Sequence, residues 1–231
     1  MSGAATSIDD SHTGKGWESA AMCKGPDSRD PAQRSALSGR KRAFDIVLAA
    51  AAILLFLPLL VTIALAIRLD GPGPAVFRQR RTGLNGNIFT IYKFRTMRVE
   101  SEDGSTRQAT RDDDRVTRIG SLLRKLSLDE LPQLLNVLQG DMSIVGPRPH
   151  AIAHDDYFAA RVPAYAARFR ARPGLTGFAQ VNGLRGEVQE LRCMADRIAA
   201  DQAYIQEWSF ALDIMIILRT VPLLLIDPKA Y

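Results

Sequence analysis

Residues 46–67 read IVLAAAAILLFLPLLVTIALAI, and these 22 residues carry no charged side chain. The whole chain has 231 residues and is only 46% hydrophobic, a composition typical of one ordinary soluble domain. An uncharged block of this length therefore predicts a membrane element rather than a core segment. We expect it to be retained and not cleaved as a signal peptide, because it is too long and lacks a small-residue cleavage site.

Pro58 lies inside this block and leaves 12 residues before it and nine after it. Because proline removes one helical hydrogen bond and kinks a helix, neither arm would cross a bilayer alone. Basic residues flank both ends, Lys41 and Arg42 before the block and Arg68 after it, so charge gives no orientation. Two predictions stay open: a helix-break-helix that enters one leaflet and returns, and a kinked helix that spans the membrane.

Charge and composition divide the rest of the chain. Residues 1–40 are polar and neutral and predict a disordered tail. Residues 68–125 hold 13 basic and seven acidic side chains. Their net charge of 13 − 7 = +6 exceeds the net charge of the whole chain, which is +5. This basic stretch beside a membrane element favours anionic lipid or a phosphorylated substrate. The two cysteines and three histidines are widely spread, so we expect any metal to be held by carboxylates.

The remaining pattern predicts a mostly helical α/β fold. Two alternating segments around Asn85-Gly86 predict a β-hairpin, with Lys93 on the same strand face as Phe89 and Ile91. Apolar spacing predicts helices over 116–138 (broken near 127–132), 151–170 and 187–208. The closing segment 210–226 is apolar with interposed polar residues, which favours an interfacial or core-packed helix.

The adjacent carboxylates Asp129 and Glu130 are the strongest candidates for chemistry. Pro132 fits a helix that starts with Asp129 as its N-cap, and the N–H groups there would keep both carboxylates ionised. One carboxylate could attack a phosphorus atom while the other holds Mg²⁺, which prefers oxygen ligands. The alternative is a capping box between Ser127 and Glu130, without chemistry.

Other polar residues allow both functional and solvated interpretations. Arg124 precedes the carboxylates and could neutralise a phosphate, and Arg148 lies between two prolines that stiffen its loop. Asp112-x-Asp114 is either the metal-binding motif of a nucleotide-sugar glycosyltransferase or, more simply, an ion-paired loop. Arg168 fits the charged end of a helix.

From Lys41 to about Thr220 the chain resembles the bacterial sugar transferase family, the monotopic polyprenyl-phosphate phosphoglycosyl transferases. The resemblance rests on eight signatures in order: KRAFD, the apolar helix interrupted by proline, GPAVFRQRRTG, YKFRTM, DRVTRIG, SLDELPQLLNVLQGDMSIVGPRP, RPGLTGFAQVNG and DQAYIQEWSFALDIMIIL. It implies transfer of a sugar 1-phosphate from a UDP-sugar to undecaprenyl phosphate, with release of UMP.

The resemblance also implies roles for individual residues. Asp129 would be the nucleophile that forms a covalent phosphosugar–aspartyl intermediate, and Glu130 would be the Mg²⁺ ligand. Basic positions of the family's active site match Lys93, Arg124 and Arg148. An arginine that commonly follows Asn-Gly in the family is absent at position 184, and Arg185 is the candidate to replace it.

The same resemblance implies a location and partners. It favours a re-entrant element over 41–70, broken at Pro58, and a catalytic domain over 71–231 on the cytoplasmic face of the bacterial inner membrane. The expected partners are a UDP-sugar, undecaprenyl phosphate, membrane lipid and a second copy in a homodimer, with no nucleic acid. The product would start an exopolysaccharide, capsule, O-antigen or glycoprotein glycan.

Two rival functions stay open at this point. One is an inner-membrane glycosyltransferase that uses Asp112-x-Asp114 and releases UDP. The other is a non-catalytic membrane adaptor whose basic face binds anionic lipid.

Overall fold

The computed structural model of the protein describes residues 34–98, 113–186 and 190–226. Helices predominate in these ranges and are accompanied by two small two-stranded sheets, which confirms the prediction of a mostly helical fold. The helices are α1 (Arg34–Leu37), α2 (Gly39–Asp70), α3 (Arg118–Lys125), α4 (Gln133–Gln139), α5 (Ile152–Ala159), α6 (Phe178–Val181), α7 (Leu191–Glu207) and α8 (Phe210–Ile226).

The apolar block lies in α2, a helix of 32 residues that is long and apolar enough to cross a membrane. Of the most apolar stretch of 18 residues in this helix, only 11% is buried inside the structure. The helical assignment continues through Pro58, so the structure has one helical element where the sequence predicted two arms. The re-entrant course and the spanning course both stay predictions. Proline removes a single hydrogen bond of the helix, and Thr62 Oγ1 donates to the Pro58 carbonyl at 2.8 Å, a contact that often bends a helix.

Residues 34–40, which fell in the predicted tail, are helical apart from Ser38. Ala36 is buried, and its carbonyl accepts a hydrogen bond of 2.6 Å from Arg172 Nη1. The N-terminal part of the predicted tail, residues 1–33, lies outside the described residues.

Arg95 caps the C-terminal end of α2. Its Nη2 donates to the carbonyls of Ile67 and Gly71, both at 2.8 Å, and its Nη1 donates to Pro72. The last carbonyls of a helix have no partner within the helix, so this guanidinium satisfies groups that would otherwise be unpaired. Because Arg95 directly follows the second strand of the hairpin, it fastens the apolar helix to the strand that carries Lys93.

The predicted hairpin is confirmed as antiparallel strands β1 (Val76–Thr82) and β2 (Ile88–Phe94). Asn85 and Gly86 take positive φ values of 54° and 81° in the connecting turn. Asparagine and glycine tolerate this region best, which is why the Asn-Gly pair marks the turn.

One face of the hairpin packs on the core and also carries polar side chains. Phe89 and Ile91 are buried there, and Lys93 follows on the same face as predicted. The register places Arg81 opposite Phe89. Residues opposite each other across an antiparallel pair share a face, so Arg81 and Lys93 project to the same side of the hairpin.

The carboxylates lie in a single 3₁₀ turn, Leu128–Glu130, that precedes α4. The prediction that Asp129 caps an α-helix is wrong, since α4 begins at Gln133. The reason is that the chain continues in tight turns: the Leu131 N–H donates to the Leu128 carbonyl at 3.3 Å, and the Leu134 N–H to the Leu131 carbonyl at 3.1 Å.

Strands β3 (Ser143–Val145) and β4 (Gly174–Thr176) form a parallel pair that carries the Gly146–Pro149 loop. Two glycines let the backbones touch. A Cβ on Gly146 would lie 2.2 Å from the Arg172 carbonyl oxygen, and one on Gly174 would lie 2.1 Å from the Gly146 nitrogen. This close approach holds the start of the Arg148 loop in place.

Helix α8 packs on the core, in agreement with the core-packed alternative for residues 210–226. Ile216 is fully buried, and Asp213 is buried with it. Lys41 Nζ lies 2.6 Å from Asp213 Oδ2, and Tyr204 Oη donates to Asp213 Oδ1 at 2.8 Å. A buried ion pair therefore joins the N-terminal end of α2 to α8.

Candidate active site

Three of the predicted site residues meet at the carboxylate of Glu130. Lys93, from β2, places Nζ 2.8 Å from Glu130 Oε1. Arg148, from the loop after β3, donates from Nη1 to Glu130 Oε2 at 3.1 Å and from Nη2 to Oε1. A strand, a 3₁₀ turn and a loop that are distant in sequence thus converge on one carboxylate.

Glu130 is ionised in this setting. Burial opposes its ionisation, but Arg148 and Lys93 outweigh burial and hold the pKa of Glu130 well below its usual range. The anion is therefore stabilised by side-chain cations and not by the N-terminus of a helix.

Asp129 has a different environment although it is the adjacent residue. Its carboxylate accepts no hydrogen bond from any residue that the structure describes. Burial raises the pKa of Asp129 to about 6, and the charge of Glu130 acts in the same direction. The cations Lys93, Arg148 and Arg124 oppose this rise, so Asp129 is mostly ionised at neutral pH. An ionised carboxylate without hydrogen-bond partners is suited to act as a nucleophile.

Arg124 and Arg185 lie at the edge of this cluster. Arg124 Nε donates to Thr96 Oγ1 at 3.1 Å, and its charge reaches Asp129. Arg185 Nη2 donates to Ser127 Oγ at 3.3 Å. The capping-box alternative is wrong, because Ser127 has a φ of 54° and its side chain caps no backbone N–H.

Two cavities border Glu130. The larger, of about 160 Å³, is lined by Lys93, Glu130 and Arg148 together with Arg81, His150, His154, Phe158, Met194 and Arg197. The smaller, of about 40 Å³, is lined by Ser127, Arg185, the polar side chains Thr176, Gln180 and Thr220 and the apolar side chains Leu175, Val181 and Leu223. Glu130 thus borders a cationic cavity and a partly apolar one.

Several residues behind the larger cavity were missed by the sequence analysis. Arg168 lies in the last turn of the short 3₁₀ helix Tyr165–Arg170, which confirms the predicted charged helix end, but the side chain is only 3% exposed. Its Nη1 lies 2.6 Å from His150 Nδ1, and its Nη2 lies 3.2 Å from Asp201 Oδ2. Nothing in the local pattern marks this network. Arg81 was also missed, because its face depends on the strand register: a hairpin symmetrical about Asn85-Gly86 would pair it with Thr90, whereas the observed register pairs it with Phe89 and so places it on the Lys93 face.

The site residues fit a Mg²⁺ ion that is bound together with a substrate phosphate. Within the described ranges no group of three or more His, Cys, Asp or Glu side chains could cage a metal. Mg²⁺ usually takes one or two carboxylates and completes its octahedron with water and substrate phosphates. Glu130 accepts three hydrogen bonds, from Lys93 and Arg148, and a carboxylate has about four lone pairs. One acceptor position therefore remains on Oε2.

The alternative motif Asp112-x-Asp114 falls partly outside the described residues, since residues 99–112 are not among them. Its middle residue, Asp113, forms an ion pair of 2.6 Å between Oδ2 and Arg115 Nη2. This contact agrees with the ion-paired loop interpretation.

Comparison with known proteins identifies the family. Residues 36–227 match the family model described as bacterial sugar transferase. Because this match covers most of the chain, the chain belongs to the bacterial sugar transferase family, and the prediction of a transferase is confirmed.

Individual relatives are similar over most of the chain. A UDP-glucose:undecaprenyl-phosphate glucose-1-phosphate transferase of Caulobacter vibrioides is 59% identical over 201 residues, which are 87% of this chain and 75% of the relative. A protein of the same name from Escherichia coli is 49% identical over 191 residues, 83% of this chain but 41% of the relative. The exopolysaccharide production protein PSS of Rhizobium leguminosarum is 47% identical over 185 residues, 78% of this chain and 92% of the relative. The chain thus spans about two fifths of the Escherichia coli relative and most of the other two.

Proposed function

We propose that the protein transfers glucose 1-phosphate from UDP-glucose to undecaprenyl phosphate and so starts the assembly of an exopolysaccharide. One observation supports this proposal most strongly: a chain of this family has two adjacent carboxylates in different environments. Glu130 accepts hydrogen bonds from Lys93 and Arg148, whereas Asp129 accepts none from the described residues. The names of the relatives in Caulobacter vibrioides and Escherichia coli support glucose as the sugar.

In the first step a carboxylate oxygen of Asp129 attacks the β-phosphorus of the nucleotide sugar. The bond between that phosphorus and the bridging oxygen breaks, and UMP leaves with the bridging oxygen. The product is an acyl phosphate between Asp129 and the sugar phosphate. Lys93, Arg148 and Arg124 reduce the repulsion between the anionic nucleophile and the anionic diphosphate.

In the second step an oxygen of undecaprenyl phosphate attacks the same phosphorus. The acyl phosphate bond breaks, the Asp129 carboxylate is restored, and undecaprenyl diphosphate glucose is released. The smaller cavity combines the Arg185 cation with apolar side chains, which is the chemistry that a phosphate on an isoprenoid chain requires.

Glu130 would hold a Mg²⁺ ion through the acceptor position left on Oε2. The ion would supply further neutralisation of the diphosphate. Lys93 and Arg148 orient the Glu130 carboxylate for this role through their hydrogen bonds.

The reaction is assigned to the cytoplasmic face of the inner membrane, with α2 entering one leaflet and returning. The exposed apolar side chains of α2, among them Leu54 and Leu55, support insertion into the membrane. Pro58 supports the return, because a proline inside a helix bends it, and the resemblance to the family favours this course over a spanning one. Association as a homodimer stays a prediction.

The released nucleotide tests the reaction. We expect purified protein in detergent, given UDP-glucose, undecaprenyl phosphate and Mg²⁺, to release UMP in proportion to the lipid diphosphate formed. Release of UDP would contradict the proposal and support direct glycosyl transfer. Absence of turnover with every UDP-sugar of a panel would support the non-catalytic adaptor.

Cysteine labelling tests the re-entrant course. In a background with Cys23→Ser and Cys193→Ser, single cysteines replace the exposed residues Arg40 and Asp70, which flank the apolar block. A membrane-impermeant maleimide applied to the periplasmic side should label neither position, and permeabilised cells should show both labelled. Labelling of one position from the periplasmic side would establish a spanning helix.

A further inference from the structure

His150 is a buried side chain on the wall of the larger cavity, and one of its ring nitrogens is unused. The side chain is 10% exposed. Its Nε2 is buried and has no hydrogen-bond partner within the described part of the chain. A buried polar group normally has a partner, so an unpaired one on a cavity wall points to a ligand.

The hydrogen-bond network assigns the proton of this imidazole. Arg168 Nη1 lies 2.6 Å from His150 Nδ1, and a guanidinium can only donate, so Nδ1 must be the acceptor. A neutral imidazole carries its proton on the other nitrogen, which makes Nε2 a donor. Burial, followed by the charge of Arg168, lowers the pKa of His150 well below its usual value, so the ring stays neutral.

The ring is also held in one orientation. Tyr165 Oη lies 2.7 Å from His150 Nδ1 and 2.7 Å from Asp155 Oδ1, so the phenol bridges the ring and the Asp155 carboxyl group. Arg168 is anchored in turn by Asp201. The imidazole is therefore preorganised, and little entropy is lost when its Nε2–H group binds a ligand.

The rest of the cavity shows which kind of atom this donor would meet. Its described lining contains four cationic side chains, Arg81, Lys93, Arg148 and Arg197, and one carboxylate, Glu130. Arg81 Nε and Arg197 Nε are likewise buried without a hydrogen-bond partner among the described residues. A wall rich in donors suits a ligand rich in oxygen acceptors.

We propose that the larger cavity holds the sugar of the donor substrate and that His150 Nε2–H donates a hydrogen bond to one of its hydroxyl oxygens. This inference rests on the proposed function. His150 lies two residues beyond Arg148, which binds the Glu130 carboxylate beside the nucleophile. The sugar is joined directly to the attacked phosphorus, whereas uracil is separated from it by a second phosphate and a ribose. Lys93 and Arg148 are available for the phosphates. The neutral N–H of His150 matches the neutral hydroxyl oxygen of a sugar.

Two substitutions separate substrate binding from folding. His150→Phe removes the donor, and we expect kcat/KM for UDP-glucose to fall about tenfold, mainly through a higher KM. His150→Gln keeps an N–H donor and an acceptor for Arg168, so it should recover most of the loss. Tyr157→Phe, an exposed change on helix α5, which begins two residues after His150, is the matched control and should leave both constants unchanged.

Analogues of UDP-glucose that lack one hydroxyl group identify the partner atom. For one analogue the losses from His150→Phe and from the missing hydroxyl should not multiply, because both remove the same hydrogen bond. Losses that multiply for every sugar analogue would overturn the proposal. A second outcome would also overturn it: if His150→Phe lowers kcat/KM for UDP-glucose and its sugar analogues but not for CDP-glucose, then His150 contacts the base and not the sugar.

Equilibrium binding keeps this inference separate from the proposed reaction. In an Asp129→Asn background, in which we expect turnover to be at least about 10³-fold slower, His150→Phe should weaken UDP-glucose binding about tenfold, and it should leave UMP binding unchanged. Equal affinities with and without His150→Phe would overturn the role of His150 even if wild-type protein releases UMP. Wild-type protein that binds UDP-glucose through His150 but releases no UMP would contradict the proposed reaction alone.

Discussion

Asp129→Asn is expected to lower the rate of UMP release from UDP-glucose by on the order of 10³-fold or more. Asparagine preserves the size of the side chain but lacks the anionic oxygen that attacks phosphorus. UDP-glucose should still bind, and at least as tightly as to wild type, because a negative charge that repels the diphosphate is gone. Nucleotide release and equilibrium binding, measured on the same preparation, check the two parts.

Asp196→Asn is the matched control for this change, because Asp196 is exposed on α7 away from the carboxylate pair. It should leave both measurements unchanged. Near wild-type UMP release by Asp129→Asn would exclude Asp129 as the nucleophile.

Glu130→Gln is expected to reduce magnesium-dependent turnover about 10²-fold or more and to raise the Mg²⁺ concentration needed for half-maximal rate. The change removes the negative charge that Lys93 and Arg148 both contact, and it replaces one carboxylate oxygen by an NH₂ group that cannot bind a cation. Initial rates over a Mg²⁺ titration measure both effects.

Glu207→Gln provides the comparison, since Glu207 is an exposed carboxylate at the end of α7. Its magnesium dependence should match wild type. An unchanged Mg²⁺ titration for Glu130→Gln would move the proposed metal ligand to another residue.

Local periodicity predicted the parts of the site that depend on neighbours in sequence. The Asn85-Gly86 turn and the alternation along β2 place Lys93 on the core-facing side, as the structure confirms. The adjacency of Asp129 and Glu130 is visible in the sequence itself. Their turn type is not, because the choice between a 3₁₀ turn and an α-helical start depends on packing that the local pattern does not contain.

Contacts between distant segments were beyond the sequence analysis. Arg95 caps a helix that ends some 25 residues earlier in the chain. Arg168 matched a charged helix end, yet its partners His150 and Asp201 come from other segments. A lone arginine looks the same in sequence whether it is solvated or buried, so only the assembled fold distinguishes the two. The same limit applies to Pro58, because the local pattern predicts a disturbed helix but does not determine the course of α2 in a membrane.

The central claim, covalent transfer through Asp129, is tested most directly by the intact mass of the protein after incubation with UDP-glucose in the absence of undecaprenyl phosphate. The account predicts one UMP released per protein molecule and a mass increase of one glucose phosphoryl group, located by peptide mapping on the segment that contains Asp129. Addition of undecaprenyl phosphate should remove this adduct. UMP release that requires the lipid, with no adduct on the protein, would contradict the account.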